Sequence, residues 1–286
     1  MRLGGRLWAG LLCIATGMAV TATAMPALAQ DQLEYVALGD SAAAGPLIPN
    51  QDINLLCLRS DNNYPAIAAK SLGARLTDVS CSGATTSDLT SRRFGILAPQ
   101  LDALSASTDL VTVTIGANDS GLFTHALSCI NLLPEPVGFS CADRLTAGGK
   151  DTIGESVDAW APKFGAALDE VRRRAPNARV LVTGYGTYVR PNGCFPVQPV
   201  WSRDANYLQG IMNKISSKAR EHANARGMRF VDFAAVTIGH DICAAPKDRY
   251  LEGLVPTHIA APLHPNAQGM AAFAKAVVAA SQSRND

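Results

Sequence analysis

The stretch VALGDSAAAG, residues 36 to 45, places a serine directly behind an apolar run of strand character, inside a cluster of glycine and small residues. A turn of this kind holds the Ser41 hydroxyl at the rim of a sheet, where it could attack an electrophilic carbon. Serine is a weak nucleophile at neutral pH, so that chemistry needs a base within hydrogen-bond reach. Five histidines are available, at positions 125, 222, 240, 258 and 264. His222 sits in a charged helical pattern and reads as a surface residue. His264, in APLHPNAQG, follows the last predicted strand and precedes a C-terminal helix, with Pro265 and Asn266 suited to cap that helix and fix the loop before it. From there it can reach the end of the first strand. A purely structural histidine is the alternative that position alone leaves open.

Acyl transfer by a serine also requires hydrogen-bond donors for the developing oxyanion. CSGATTSD, after the second predicted strand, offers Gly83, whose N–H approaches a ligand with no side chain in the way. IGANDSG, after the third, offers the Asn118 amide beside Gly116. Each alone is an ordinary loop residue. With the N–H of Ser41 itself, they put one donor after each of the first three strands, on one edge of the sheet. Asp40 is expected to brace the turn by side-chain to backbone hydrogen bonds.

The elements that must position these groups are legible in the patterning. Apolar runs at 34–38, 75–80, 110–116, 178–184 and 228–233 read as strands, and helical patterns fall at 63–72, 94–105, 154–175, 203–226 and 266–282. This alternation is that of an α/β protein with a central parallel sheet covered by helices on both faces. Residues 30–286 read as one such domain. Segments 119–153 and 185–202 break the rhythm. Both follow strands, and long loops over the C-terminal edge of an open sheet shape binding pockets.

With 286 residues, 48% of them hydrophobic, and a net charge of +1, the chain has material for one sizeable core and no basic surplus for nucleic acid. The short run Arg172 to Arg174 suits the end of a helix. Residues 1–29 read as a signal peptide: Arg2 and Arg6 precede an apolar run from Leu7 to about Val20, and ALA at 27–29 marks cleavage after Ala29. Export makes disulfides the expected state of Cys57, Cys81, Cys129, Cys141, Cys194 and Cys243. Six cysteines permit fifteen connectivities, and spacing does not choose among them. Sequential pairing is preferred, since each bridge would then close a loop-rich segment outside the strands. No close C-x-x-C pair points to a metal, and no glycine-rich phosphate loop to a cofactor, so neither is expected.

GDS at Ser41, the glycine of CSGATT at Gly83, GAND with Gly116 and Asn118, and HPN at His264 resemble, in order, the four blocks of the SGNH, or GDSL, hydrolase family. The match runs from about residue 35 to 270, and the paired cysteines further resemble the family's secreted actinobacterial lipases and esterases. The resemblance implies a flavodoxin-like three-layer α/β/α sandwich with Ser41 as nucleophile and His264 as base. The oxyanion hole would comprise the Ser41 and Gly83 N–H groups and the Asn118 side chain. The family usually carries an aspartate three residues before the histidine, where this chain has Ala261. No acidic residue lies between Glu252 and His264. A Ser-His dyad is therefore expected, with the Ala261 carbonyl accepting the Nδ1 proton.

The function this implies is a secreted, monomeric carboxylic ester hydrolase acting through an acyl-serine intermediate, with contact to lipid surfaces at most transient. Its substrate is expected to be a small-molecule or lipid ester, since the apolar loop 121–139 suits an acyl pocket. Two alternatives remain at this level: a carbohydrate or cell-envelope deacylase, with Trp160 and Trp201 stacking sugars, and a non-catalytic exported binding domain.

Overall fold

Val36 and Leu38 face one side of strand β1 (Glu34–Gly39), Tyr35 and Ala37 face the other, and all four are buried. A strand buried on both faces must be covered twice. In this computed structural model, which describes residues 32–283 except Asn54, together with Met1 and Gly4, that covering comes from helices. The expected signal peptide and its cleavage site lie outside the described residues.

After β1 the chain forms the single turn α1 (Ser41–Ala44), then α2 (Tyr64–Leu72), β2 (Arg75–Asp78) and β3 (Leu110–Thr114). Short helices α3 (Leu122–Leu127) and α4 (Cys141–Leu145) precede the long α5 (Thr152–Arg174) and β4 (Arg179–Thr183). The chain closes with α6 (Ser202–Asn224), β5 (Arg229–Val231), α7 (Phe233–Thr237) and α8 (Ala267–Gln282). All five strands pair in parallel, in the order β2-β1-β3-β4-β5. This is the three-layer α/β/α arrangement of flavodoxin-like type expected from the sequence.

The two-residue period sorts the strand side chains between layers. Val36, Leu38, Val111, Val113, Val180 and Val182 join one core, with Phe164 and Leu168 of α5 and Ile211 and Ile215 of α6. Tyr35, Ala37, Leu110 and Leu181 join the other, with Tyr64 of α2, Phe233 of α7 and Phe273 of α8. Buried hydroxyls between strands find partners. Tyr35 pairs with Thr112 at 2.9 Å, Tyr64 with Thr114 at 2.7 Å, and Thr114 with Thr183 at 2.7 Å. Left unpaired, each would cost about 1–3 kcal/mol.

Four predicted helices form within two residues of their expected ends, and the one at 94–105 does not. Phe94 and Gly95 take left-handed backbone angles (φ 53° and 73°), and Pro99 cannot donate to a continuing helical ladder. Only a 3₁₀ turn forms, Gln100–Ala103. Its buried Gln100 side chain accepts from the Gly39 N–H at 2.8 Å and donates to the Gly39 carbonyl at 2.9 Å, pinning the end of β1. Gly39 has no room for a side chain: a Cβ there would lie 2.7 Å from the Thr114 carbonyl oxygen.

The cysteines pair in sequential order, Cys57 with Cys81, Cys129 with Cys141 and Cys194 with Cys243. Each bridge ties loops beyond the C-terminal sheet edge. Among the described residues no helix is long and apolar enough to cross a membrane.

Candidate active site

In this strand order the connections leaving β1 and β3 turn to opposite sides, which opens a crevice beyond their C-terminal ends. Ser41 follows β1 and Asn118 follows β3, so the two flank that crevice. The turn before Ser41 is braced as expected. The Asp40 N–H donates to the Thr114 carbonyl at 2.9 Å, and Asp40 Oδ1 accepts from the Ala42 N–H at 2.9 Å. Because α1 is a single turn, it supplies free N–H groups rather than a helix dipole of any size.

Ser41 Oγ lies 2.7 Å from His264 Nε2, and His264 Nδ1 lies 2.7 Å from the Pro262 carbonyl oxygen. A carbonyl only accepts, so Nδ1 carries the proton and the Nε2 lone pair faces the serine hydroxyl. The orienting carbonyl is thus that of Pro262, not Ala261. Leu263 adopts a left-handed conformation (φ 60°), which curls the chain so that the carbonyl two residues before the histidine meets the ring. Ala261 is turned toward the loop after α1, its N–H donating to the Pro46 carbonyl at 3.0 Å.

Among the described residues no carboxylate bonds to His264. Asp241 pairs with Arg190 at 3.0 Å, and the Asp248 backbone carbonyl meets the His240 ring at 2.6 Å. The histidine loop is held from behind. The Glu252 N–H donates to the His264 carbonyl at 2.9 Å, and Asn266 caps α8 while its Nδ2 reaches Glu252 Oε1 at 2.8 Å.

Burial pushes the His264 imidazole below its ordinary value, and the Pro262 hydrogen bond only partly opposes this. A base must be neutral to accept a proton, and a lowered pKa keeps it neutral further into acid. The pH profile of kcat/KM is therefore expected to rise to half its plateau below about pH 6.5, the ordinary imidazole value. A half-rise above that value would contradict the assignment.

Gly83 sits at φ +77°, in the left-handed region that favours glycine. Its loop is latched to the loop after β3. Asn118 Nδ2 donates to the Ala84 carbonyl at 2.9 Å, and the Thr86 N–H donates to Asp119 at 3.0 Å. An amide nitrogen carries two protons, so one Asn118 donor remains for a ligand. Among the described residues, neither the Ser41 nor the Gly83 N–H donates to a protein acceptor. Ser41, Gly83, Asn118 and His264 line one cavity of about 290 Å³.

Tyr185, two residues beyond β4, is a residue that sequence reasoning missed. Its hydroxyl donates to Asp40 Oδ2 at 2.5 Å and accepts from the Ala117 N–H at 3.0 Å, coupling the serine turn to the Asn118 loop. Burial lifts the Asp40 carboxyl to about 7, against the lowering effect of the Tyr185 and Ala42 hydrogen bonds. The available signal was its position, on the same strand edge as the other site residues.

The cavity walls are largely apolar. Leu122, Phe123 and Ala126 come from α3, and Leu208 and Met212 from α6, a helix whose sequence pattern carries no sign of a site. Of the 121–139 loop only α3 lines the cavity, whereas Leu132 and Phe139 project into solvent. Trp160 and Trp201 are buried, their indole N–H groups bonded to Thr86 Oγ1 and the Leu133 carbonyl, so neither offers a face to a sugar. Among the described residues no cluster of three His, Cys, Asp or Glu side chains could hold a metal.

A parallel sheet of this order, with a hydrogen-bonded serine and histidine at its switch point, is the framework of the α/β/α hydrolases. Comparison with known proteins narrows the class: the profile of the GDSL-like lipase/acylhydrolase family matches residues 37–272, and the chain belongs to that family. Lipase 2 of Streptomyces coelicolor is 43% identical over 257 residues, covering 87% of this chain and 86% of that protein. The crystal structure of an extracellular lipase from Streptomyces rimosus matches with a TM-score of 0.74 at 26% identity, covering 87% of this chain and 100% of the other. That of phospholipase A1 from Streptomyces albidoflavus matches at 0.73 and 28%, covering 87% and 99%. The protein is an ester hydrolase, and the non-catalytic alternative falls away.

Proposed function

We propose that the protein is a secreted lipase or esterase that cleaves fatty acyl esters through an acyl-serine intermediate. The observation that carries this reading is the 2.7 Å contact between Ser41 Oγ and His264 Nε2 at the edge of an apolar cavity. As Ser41 Oγ bonds to the ester carbonyl carbon, its proton passes to His264 Nε2. The carbonyl oxygen becomes an oxyanion, held by the Ser41 and Gly83 N–H groups and the free Asn118 donor. The C–O bond to the alcohol then breaks, and the imidazolium returns the proton to the leaving oxygen. Water repeats the sequence on the acyl-serine, with His264 again taking and returning a proton, and the carboxylic acid leaves. The Pro262 carbonyl holds the imidazole in the required tautomer, though it stabilises the imidazolium less than a carboxylate would.

The apolar wall made by Leu122, Phe123, Leu208 and Met212 favours an acyl chain over an acetyl group. Export follows from the leader at 1–29 and is supported by three disulfides, which persist in oxidising surroundings. Residues 30–286 act as one domain, a reading supported by the family match over 37–272, and the chain is taken to work as a monomer. The test is a panel of p-nitrophenyl esters. Octanoyl or longer chains should exceed acetyl by at least about tenfold in kcat/KM, since each buried methylene contributes about 0.8 kcal/mol. A preference for acetyl would overturn the fatty acyl assignment.

A further inference from the structure

The Gly83 N–H and the Ser82 carbonyl belong to one peptide unit, and in a trans peptide the two groups point in opposite directions. Whatever bonds to the Ser82 carbonyl therefore stands directly behind a donor assigned to the oxyanion. That partner is a cation. Arg93 Nη2 donates to the Ser82 carbonyl at 3.1 Å, the one hydrogen bond this carbonyl accepts among the described residues. The Ser41 N–H has no such backing: the Asp40 carbonyl behind it accepts from the neutral Ala43 and Ala44 N–H groups at 3.1 and 3.0 Å.

Several contacts set the position of the guanidinium. Arg93 stands at the base of a tight turn, where its N–H donates to the Leu97 carbonyl at 3.2 Å and the Leu97 N–H donates back to the Arg93 carbonyl at 3.0 Å. The left-handed Phe94 and Gly95 reverse the chain between them, so the backbone feature that prevents a helix here also places the arginine. Arg93 Nη1 meets Asp88 Oδ2 at 2.9 Å, and the same oxygen accepts from the Thr85 N–H at 2.7 Å, which ties the guanidinium to the Gly83 loop a second time. The Phe94 ring centroid lies 4.4 Å from the guanidinium carbon. Gly83 permits the close approach, since a Cβ there would lie 2.8 Å from Arg93 Nη2.

The Arg93 side chain is 17% exposed, so its charge is poorly screened by solvent. It does not line the catalytic cavity but borders a separate one of about 350 Å³ behind the loop, with Asp88 and the Cys57–Cys81 bridge. Its influence on the ester must pass through the peptide. A peptide whose carbonyl is bonded to a cation is polarised, and its N–H becomes a stronger donor. Such strengthening counts most when negative charge develops on the acceptor. The same bond keeps the peptide from turning over, a motion that glycine would otherwise allow.

We propose that Arg93 is a positioning residue for the oxyanion hole: through the Ser82 carbonyl it fixes and polarises the Gly83 N–H, so that this donor holds the oxyanion more strongly than a neutral backbone would. This rests on the acyl-serine reading of the site, with Gly83 as an oxyanion donor, and adds the charge that stands behind that donor.

The test uses the mature chain and an alkyl trifluoromethyl ketone labelled with carbon-13 at its carbonyl carbon. Ser41 Oγ bonds to that carbon, the serine proton passes to His264, and with no leaving group the tetrahedral hemiketal persists. The carbon-13 shift then reports ionisation of the hemiketal oxygen as pH is varied. Arg93→Met should raise the pH of half-ionisation by about one unit, a tenfold loss of oxyanion stabilisation. On a soluble ester it should lower kcat by about tenfold with KM within about twofold of the parent. The rise should persist when Asp88→Asn is added, which leaves no unpaired carboxylate beside the loop. Arg93→Lys, which keeps a cationic donor, should recover most of the difference. Arg92→Met removes an equal charge from the exposed neighbouring position, whose Nη1 reaches only the Ile96 carbonyl at 3.5 Å, and should leave both readings as in the parent.

A hemiketal that ionises as in the parent, a rise abolished by Asp88→Asn, or an increase in KM at constant kcat would overturn the proposal. So would an equal effect of Arg92→Met, which would reduce the role of Arg93 to long-range charge. If Arg93→Met does not fold, Arg93→Gln makes the same comparison with a neutral donor in place: a raised half-ionisation supports the proposal and a parent-like one overturns it. A parent that forms no hemiketal would defeat the acyl-serine reading, and one whose hemiketal ionises no more readily than in water would defeat the oxyanion assignment. Either result removes the role proposed for Arg93, and each is distinct from a variant that matches a well-ionised parent.

Discussion

Replacing Ser41 with alanine is expected to lower kcat on a soluble ester by about ten-thousandfold or more while leaving the thermal midpoint nearly unchanged. The hydroxyl makes one hydrogen bond in the structure, to His264, and α1 otherwise consists of alanines, so the substitution removes the nucleophile with little effect on the turn. Residual turnover would come from the oxyanion donors acting on water. Asp40→Asn is the informative contrast. An asparagine oxygen can still accept from the Ala42 N–H, but it presents an amide group where Tyr185 now donates. Asp40→Asn should therefore retain far more activity than Ser41→Ala. Steady-state kinetics on both variants, with melting curves, decide the point: equal losses would move Asp40 from bracing the turn into the chemistry.

Asn118→Ala is expected to lower kcat by about a hundred- to a thousandfold with KM little changed, because its free N–H serves the oxyanion more than the ground-state carbonyl. The side chain also latches the two loops through the Ala84 carbonyl, so a merely structural role must be separated from an electrostatic one. A phosphonate that mimics the tetrahedral state provides the separation. Its reaction rate should fall with kcat, whereas loosened loops would raise KM and lower the melting temperature. A rise in KM at constant kcat would show Asn118 to be a ground-state binding group.

How much of this could be read from residues alone differs from element to element. The runs that became β1, β3 and β4 are largely apolar, β3 and β4 also rich in β-branched residues, and that pattern follows from burial on both faces of a parallel sheet. The helical pattern at 94–105 has similar apolar content but fails on backbone grounds, with Gly95 left-handed and Pro99 breaking the hydrogen-bond ladder. The glycine-aspartate-serine turn was legible because its geometry is local; of the sequentially paired cysteines only Cys129 and Cys141 join neighbouring elements, whereas Cys57–Cys81 spans α2 and β2 and Cys194–Cys243 spans α6, β5 and α7.

What spacing could not supply are contacts between distant segments. Tyr185 meets Asp40 across 145 positions, and His264 meets Ser41 across 223. The histidine was found because its loop and helix cap carry a local signature, whereas the tyrosine has none. The choice between the Ala261 and Pro262 carbonyls turned on one left-handed residue, Leu263, a conformation that composition does not announce. The contribution of α6 to the cavity depends likewise on how that helix packs over the sheet.

By itself, then, the sequence determined the alternating α/β layers, the serine turn, the candidate donors after successive strands, and the absence of a carboxylate between Glu252 and His264. Packing settled which carbonyl meets the imidazole, which tyrosine couples the first and third strand loops, and which side chains of α3 and α6 wall the cavity. The physical reason is range: strand period, turn chemistry and helix caps are satisfied within a few residues, whereas the active site is assembled by packing that joins residues far apart in the chain.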